Sequence, residues 1–496
     1  RYLPLKKGVF YMNSSLRSLE NQFPDLKKFL IQVNELVGSG FFSRDCDILI
    51  NRTPGRLDLM GGNDDYTGGL VFEKTIREAT LVAVQPRSDD VVELYNPSVT
   101  AFDWQERVTF HLADLREGDH LAPIEKVRTW INTAPRSSWA AYLVGDLYYL
   151  MEHFPEKVTA GFSLYLESDV PLGKGVSSSA ALEVAVMKAT AARYDIEVSG
   201  VELASWTQWV EIALTQSACG IMDQLAVVMG DENCFVPMLC QPCLPYPLAK
   251  LPENLYVWGI DSDVRHAVSG IEYEAARAAT FMGYRYLCEW EHLQSTLDKS
   301  GALPRWVEPK WNGYLANLSP SLFRSLYEQR LPEFQLGSQF NQQFGNHLDP
   351  FTPVRPVVSY PLRGATRYAV EENWRVHAFF NLISKTTLDE ETCHLLGELM
   401  YLSHRGYSEC GLGSQQTDRI VQLVRAEESH GLYGAKITGG GAGGTVAVLG
   451  ENSTRARAAF RRVAERYAAE NGKQPYIFEG SSAGCDVFGV QTLNIV

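Results

Sequence analysis

At Pro171-Leu-Gly-Lys-Gly-Val-Ser-Ser-Ser-Ala-Ala-Leu182, glycines and hydroxyls run directly into a helix-forming stretch, a combination suited to holding a polyanion. Gly173 and Gly175 allow a tight turn, and Ser177, Ser178, Ser179 and Ala180 fall where the first amides of a helix point outward without partners. Those amides and the positive end of the helix dipole attract phosphate, while a hydroxyl can also reach a metal ion. The N-cap of an ordinary Ser-rich helix has the same composition, so the stretch does not decide alone. Two further Gly-rich segments accompany it, Pro54-Gly-Arg-Leu-Asp-Leu-Met-Gly-Gly-Asn-Asp-Asp-Tyr-Thr-Gly-Gly69 and Gly434-Ala-Lys-Ile-Thr-Gly-Gly-Gly-Ala-Gly-Gly-Thr445.

Elements must position these segments. Val158 to Glu167 alternates as a strand would, and Ala180 to Ala189 is rich in strong helix formers, so the serine loop joins a strand to a helix. Leu81 to Gln85 and Val91 to Leu94 read as strands flanking a turn at Pro86-Arg-Ser-Asp-Asp90. Helical periodicity marks Ser138 to Met151, Val201 to Ala213 and Gly220 to Met229. Further on, a strand is expected at Leu255 to Asp261 and helices at Tyr273 to Leu287, Ala369 to Ile383 and Glu390 to Leu402. Gly439 to Gly444 satisfies the dinucleotide pattern G-x-G-x-x-G, but that fingerprint opens a helix, whereas Thr445 to Leu449 continues as a strand. The chain also has no G-K-[ST] triplet, which removes the usual P-loop.

A chain of 496 residues with 45% hydrophobic content can build two or three cored domains. A net charge of −14 argues against nucleic-acid or anionic-membrane partners, so any anionic ligand must be met locally by amides, a metal and a few cations. There is no apolar run of membrane-spanning length and no signal-peptide core, which makes a cytoplasmic protein the expectation. Nine scattered cysteines fit a reducing compartment, and Cys240-Gln-Pro-Cys243 lacks the second pair that a zinc site would need. A division near Pro252 is expected, giving lobes 1–252 and 253–496, with an inserted subdomain at about 290–361 that either covers a site or mediates assembly. Oligomeric state is not legible.

The three Gly-rich segments, in this order and spacing, resemble the GHMP small-molecule kinases, and Pro54 to Gly69 resembles the galactokinase branch. The likeness covers most of the chain. Leu59-Met-Gly-Gly62, Cys219-Gly-Ile-Met-Asp-Gln224, Trp258-Gly-Ile-Asp-Ser262 with Val264-Arg-His266, and Phe478-Glu-Gly-Ser-Ser482 are most similar to the L-arabinokinases. The resemblance implies a two-lobed α+β fold with MgATP and sugar in the cleft between lobes. The γ-phosphoryl group would pass to the anomeric hydroxyl of L-arabinose, giving β-L-arabinose 1-phosphate and ADP. A galactokinase or a relaxed kinase for D-galactose and L-arabinose is the alternative, and a non-catalytic sugar sensor is a third reading. A galacturonate kinase is disfavoured, because residues 60–69 carry no added cation for a second carboxylate.

By the same resemblance, Asp223 is the general base and Arg56 lies opposite, favouring its carboxylate form and steadying charge on the transferred group. Ser179 or Ser178 with Glu211, twelve residues before Asp223, would hold Mg²⁺. Gly440 and Gly441 would lie near the nucleotide phosphates, and Trp139 and Arg87 fall in segments resembling the adenine side. Asp65, Asn63, Gly62, Gly220 and Tyr273 would meet the sugar, with a half-buried core tyrosine as the other reading of Tyr273. His266 and Arg265 would brace a strand end. Gly62 stands where galactokinases carry the glutamate that meets the C6 hydroxymethyl, a group that L-arabinopyranose lacks. A buried glutamate without that hydroxyl would cost about 1–3 kcal/mol. Rejecting galactose would need something to fill the vacated space, for which Met60, Asn63 and Asp64 are candidates.

Overall fold

The computed structural model describes residues 10–11, 14–133, 137, 139–264, 270–385 and 388–495. Ser138, Arg265 and His266 lie outside the described residues. The first sheet is built on two long strands, β1 (Ile48–Met60) and β2 (Leu70–Pro86), antiparallel from Leu49↔Val84 to Met60↔Phe72. Their register shifts between Pro54 and Arg56 and again between Asp58 and Met60, and such bulges re-aim the side chains beside them. Around this pair come β3 (Val91–Tyr95), β4 (Arg107–His111), β5 (Phe162–Ser168) and β6 (Cys234–Leu239).

Both faces of this sheet are covered, which explains the apolar runs of β2. Leu81 and Ala83 face the cluster built by helix α1 (Pro24–Ser39), while Val82 and Val84 face the helices on the other side. Those helices are α2 (Ala140–His153), α3 (Ser178–Arg193), α4 (Gly200–Leu214) and α5 (Met222–Met229). The strands flanking residues 86–90 form as expected but are not neighbours. β5 enters between them, antiparallel to β2 and parallel to β3. The turn receives it through two backbone bonds, Arg87 N–H to the Gly161 carbonyl and Gly161 N–H to the Asp89 carbonyl.

The second sheet has the order β8-β9-β7-β10, all antiparallel, from β7 (Leu255–Asp261), β8 (Leu432–Ile437), β9 (Thr445–Glu451) and β10 (Ile477–Glu479). Helices α6 (Ile271–Trp290), α7 (Leu362–Ile383), α8 (Glu390–Glu409), α9 (Gln415–Arg425) and α10 (Thr454–Asn471) accompany it. Residue 252 falls between β6 and β7 and so between the two sheets. Residues 253–496 do not all stay with the second sheet, however, because β11 (Gln491–Ile495) returns to the first and pairs with β1 at Ile48↔Leu493. No helix of the described residues is long and apolar enough to cross a membrane.

Residues 290–361 form short hairpins and helices packed on α6 and α7 through Trp311, Phe323, Tyr327 and Phe340. Their deepest polar tie is Asp349, which accepts both Nε and Nη2 of the buried Arg277 on α6, at 2.8 and 2.9 Å. Asp349→Ala leaves that guanidinium buried without its counter-ion and should cost about 3–5 kcal/mol, read as a lower urea midpoint. Arg277→Met combined with Asp349→Leu should cost less than Asp349→Ala alone.

Candidate active site

The serine loop crosses from β5 to α3, and its geometry suits an anion. Ser177 caps α3 in the left-handed region at φ 59°, a conformation costly for a residue with a Cβ and one that gathers at functional sites. The first i→i−4 bond runs from Ala181 N–H to the Ser177 carbonyl, so the amides of Ser178, Ser179 and Ala180 precede the helical ladder. The buried Ser177 Oγ makes no hydrogen bond to the described residues.

Thirteen of the expected residues line one cleft: Arg56, Asn63, Asp65, Gly173, Gly175, Ser177, Ser178, Ser179, Glu211, Gly220, Asp223, Tyr273 and Gly440. At its centre Arg56 is 2% exposed and sits beside the β1 bulge. Its Nη2 and Nε donate to Asp223 Oδ1 at 2.6 and 3.0 Å, its Nη1 donates to the Gly175 carbonyl at 2.8 Å, and Glu73 Oε2 lies 3.1 Å from Nε. Burial works against the charge of Arg56, but the carboxylates of Asp223, Glu73 and Asp58 outweigh it and hold the guanidinium more firmly protonated than usual. Asp223 keeps 27% of its side chain exposed.

Glu211 on α4 reaches the same wall, where Gln224 Nε2 donates to its Oε2 at 2.6 Å. Burial, and after it the charge of Asp223, push the Glu211 carboxyl up to about 7, against a lowering hydrogen bond from Ser179. Ser179 and Glu211 thus present adjacent hard oxygen donors. Among the described residues no group of three or more His, Cys, Asp or Glu side chains could hold a metal ion. Two protein oxygens suit Mg²⁺, which keeps several waters and shares phosphate oxygens. Cys240 and Cys243 are buried, and burial raises both thiols above their usual range.

Asp65 accepts the Tyr66 amide at 2.9 Å and the Met222 amide at 3.3 Å, tying the Gly-rich turn after β1 to the start of α5. Burial first, then the Asp223 charge, push its carboxyl up to about 6. Gly220 backs directly onto that carboxylate, and a Cβ there would overlap it. Tyr273 is 7% exposed and lines the cleft, with its hydroxyl donating to the Ala218 carbonyl at 3.1 Å. Arg277 Nη1 donates to the same carbonyl at 2.7 Å and to that of Cys219 at 3.3 Å. Through Asp349, therefore, residues 290–361 brace the loop that leads to Asp223.

Five expected residues stand elsewhere. The Trp139 indole is buried in the core and donates to the Gln105 carbonyl at 2.8 Å, and Arg87 is clamped by Asp89 at 2.7 Å, so both side chains are already spent on the fold. The Ala180 side chain is fully buried beneath the loop, leaving only its backbone toward the helix end. Gly441 packs against Leu412 and Tyr407. Gly62 does not leave an open space. A Cβ there would overlap the Tyr407 hydroxyl and the Asp58 carboxylate, so these groups, rather than Met60, Asn63 or Asp64, occupy the volume into which a residue-62 side chain would project.

Several residues of this network were not anticipated. Lys436 is the one charged residue of β8, a pattern that signals a buried partner, whereas Glu73 shares β2 with Lys74, Arg77 and Glu78 and carries no such signal. Lys436 Nζ meets Asp58 Oδ2 at 2.6 Å with both side chains fully buried. Glu183, four residues after Ser179 on α3, is buried with its carboxyl raised well above the usual range by desolvation. Cys219 and Met222 complete the cleft lining.

Three family models match stretches of this chain. Residues 141–231 match the GHMP kinases N-terminal domain, residues 387–469 the GHMP kinases C-terminal domain, and residues 40–86 the galactokinase galactose-binding signature. The chain is 36% identical over 490 residues to an L-arabinokinase of Arabidopsis thaliana, covering 91% of this chain and 47% of that protein, so it spans about half of that relative. It is 30% identical over 404 residues to a galactokinase of Chloroflexus aggregans, covering 81% of this chain and 84% of the relative. In fold it is similar to Lactococcus lactis galactokinase, solved with galactose, at a TM-score of 0.70 and 20% identity over 92% of this chain and 99% of the other. It is also similar in fold to Methanococcus jannaschii mevalonate kinase, at a TM-score of 0.51 and 13% identity over 88% and 98%. With the expected two-lobed α+β architecture in place, this chain belongs to the GHMP kinase family, in its galactokinase branch.

Proposed function

We propose that this chain transfers the γ-phosphoryl group of MgATP to the anomeric hydroxyl of L-arabinose, giving β-L-arabinose 1-phosphate and ADP. The reading rests chiefly on Asp223, a partly exposed carboxylate held by a buried arginine in a cleft shared with the serine loop, Glu211 and Asp65. Asp223 takes the proton of the anomeric hydroxyl, the sugar oxygen bonds to the γ-phosphorus, and the bond from that phosphorus to the bridging oxygen breaks to release ADP. Arg56 keeps Asp223 aimed and adds positive charge beside the moving phosphoryl group. Amides at the start of α3 receive phosphate oxygens, and Ser179 with Glu211 would hold Mg²⁺. The metal, when bound, neutralises charge on the triphosphate. Asp65 accepts hydrogen bonds from ring hydroxyls.

L-Arabinose is preferred as the acceptor because position 62 has neither a side chain nor room for one, leaving no group there to meet a hydroxymethyl. The 36% identity to an L-arabinokinase supports the same acceptor. D-Galactose is the competing reading, favoured by the galactose-binding signature over residues 40–86.

ADP release with MgATP and L-arabinose, D-galactose or D-galacturonate should give the highest kcat/KM for L-arabinose. A higher value for D-galactose would move the assignment to galactokinase. Asp223→Asn should lower kcat by about 10²-fold or more while MgATP binding persists, and near-normal turnover would remove Asp223 as the base. Asp65 loses its proton as pH rises through about 6 and becomes a full acceptor, so KM for the sugar should fall across that interval. Asp65→Asn should abolish this pH dependence of KM.

A further inference from the structure

The cleft meets its anionic substrate with little positive charge. Arg56 is the only lysine or arginine among the described residues that line it, and its donors already serve Asp223 and the Gly175 carbonyl. The chain's net charge of −14 supplies no favourable field. One further cation belongs to the serine loop itself. Lys174 lies between Gly173 and Gly175, two cleft-lining glycines that both have φ near 70°.

The backbone at Lys174 is pinned, because its carbonyl accepts the Thr445 hydroxyl at 2.8 Å. Its side chain instead leads to the end of β7, where Nζ meets Asp261 Oδ2 at 2.7 Å and Asp263 Oδ1 at 3.3 Å. This pairing differs from the sealed Lys436–Asp58 contact. The Lys174 side chain is 16% exposed, and a second ammonium, that of Lys473, sits on Asp263 Oδ1 at 2.7 Å. Asp261 also accepts the Asp263 amide at 2.9 Å. The two aspartates therefore keep a cation and a donor when Lys174 departs, and a flexible four-carbon stem rooted between cleft-lining residues can carry the ammonium to a nearby anion.

We propose that Lys174 is an exchangeable phosphate-binding cation, resting on Asp261 and Asp263 without nucleotide and bonding the polyphosphate oxygens of bound nucleotide. This rests on the reading of the cleft as a MgATP site. Affinities for MgATP, MgADP and adenosine, measured by calorimetry on the whole chain, test it. Lys174→Met should weaken MgATP by about 10- to 100-fold and leave adenosine unchanged, and Lys174→Arg should recover most of the loss. Asp261→Asn, which frees the lysine, should bind MgATP as tightly as the parent or more so. Lys174→Met with Asp261→Asn removes the stranded carboxylate and should show the same MgATP deficit, which separates lost binding from lost folding. Parent-like MgATP affinity in Lys174→Met would overturn the proposal. So would an equal loss in Asp261→Asn, the mark of a latch between elements. A parent chain that binds no MgATP would instead overturn the nucleotide-site reading, and this inference with it.

Discussion

A buried guanidinium governs the geometry of this molecule. Removing an arginine from water costs several kcal/mol, so Arg56 is stable where it stands only because Asp223, Glu73 and the Gly175 carbonyl all face it. Those partners come from α5, β2 and the serine loop. The requirement to satisfy one cation thus fixes the distance between the candidate base and the loop expected to carry phosphate. The bulge beside Arg56 serves the same end, since an unbroken register would not aim the side chain in the same way.

A second buried pair holds the site from the other side. Asp58, two residues beyond Arg56, takes Lys436 from β8, receives the Gly62 amide at 3.2 Å, and has the Tyr407 hydroxyl 3.2 Å from Oδ2. Its own amide donates to Thr438 Oγ1 at 2.6 Å. Alternate residues of one strand therefore answer to different sheets, and the floor of the cleft does not belong to either half of the chain alone. Residues 290–361 extend this arrangement through Asp349, which makes them part of the support of the loop before Asp223.

The sequence revealed what is encoded locally. Gly-rich turns, a serine-rich helix start and the apolar period of the helices are short-range signals, and they led to the serine loop, to β7 at its observed limits and to thirteen residues of one cleft. Partnerships across long separations were not legible. Lys436 is the one charge of its strand and Glu73 one of several in β2, and nothing local says which charges will meet them. Trp139 and Arg87, expected on the adenine side, are not among the residues that line the cleft. An aromatic and a cation near a nucleotide segment can be consumed by a carbonyl and a carboxylate close by, as Gln105 and Asp89 consume them here. Gly62 was legible as a missing side chain but not as a filled volume, because one of the two filling groups, the Tyr407 hydroxyl, comes from α8 and the other, the Asp58 carboxylate, is turned there by its buried partners.

The return of β11 to the first sheet bears on how the chain is made. β1 begins at Ile48, yet its neighbour on one edge is the strand at 491–495. During synthesis the ribosome delivers β1, β2 and β5 long before that neighbour emerges, so an open sheet edge stays exposed while the second sheet is still being translated. Such an edge invites pairing with other chains. Only the last strand to be made closes that edge, a constraint on the order of assembly that the finished fold conceals.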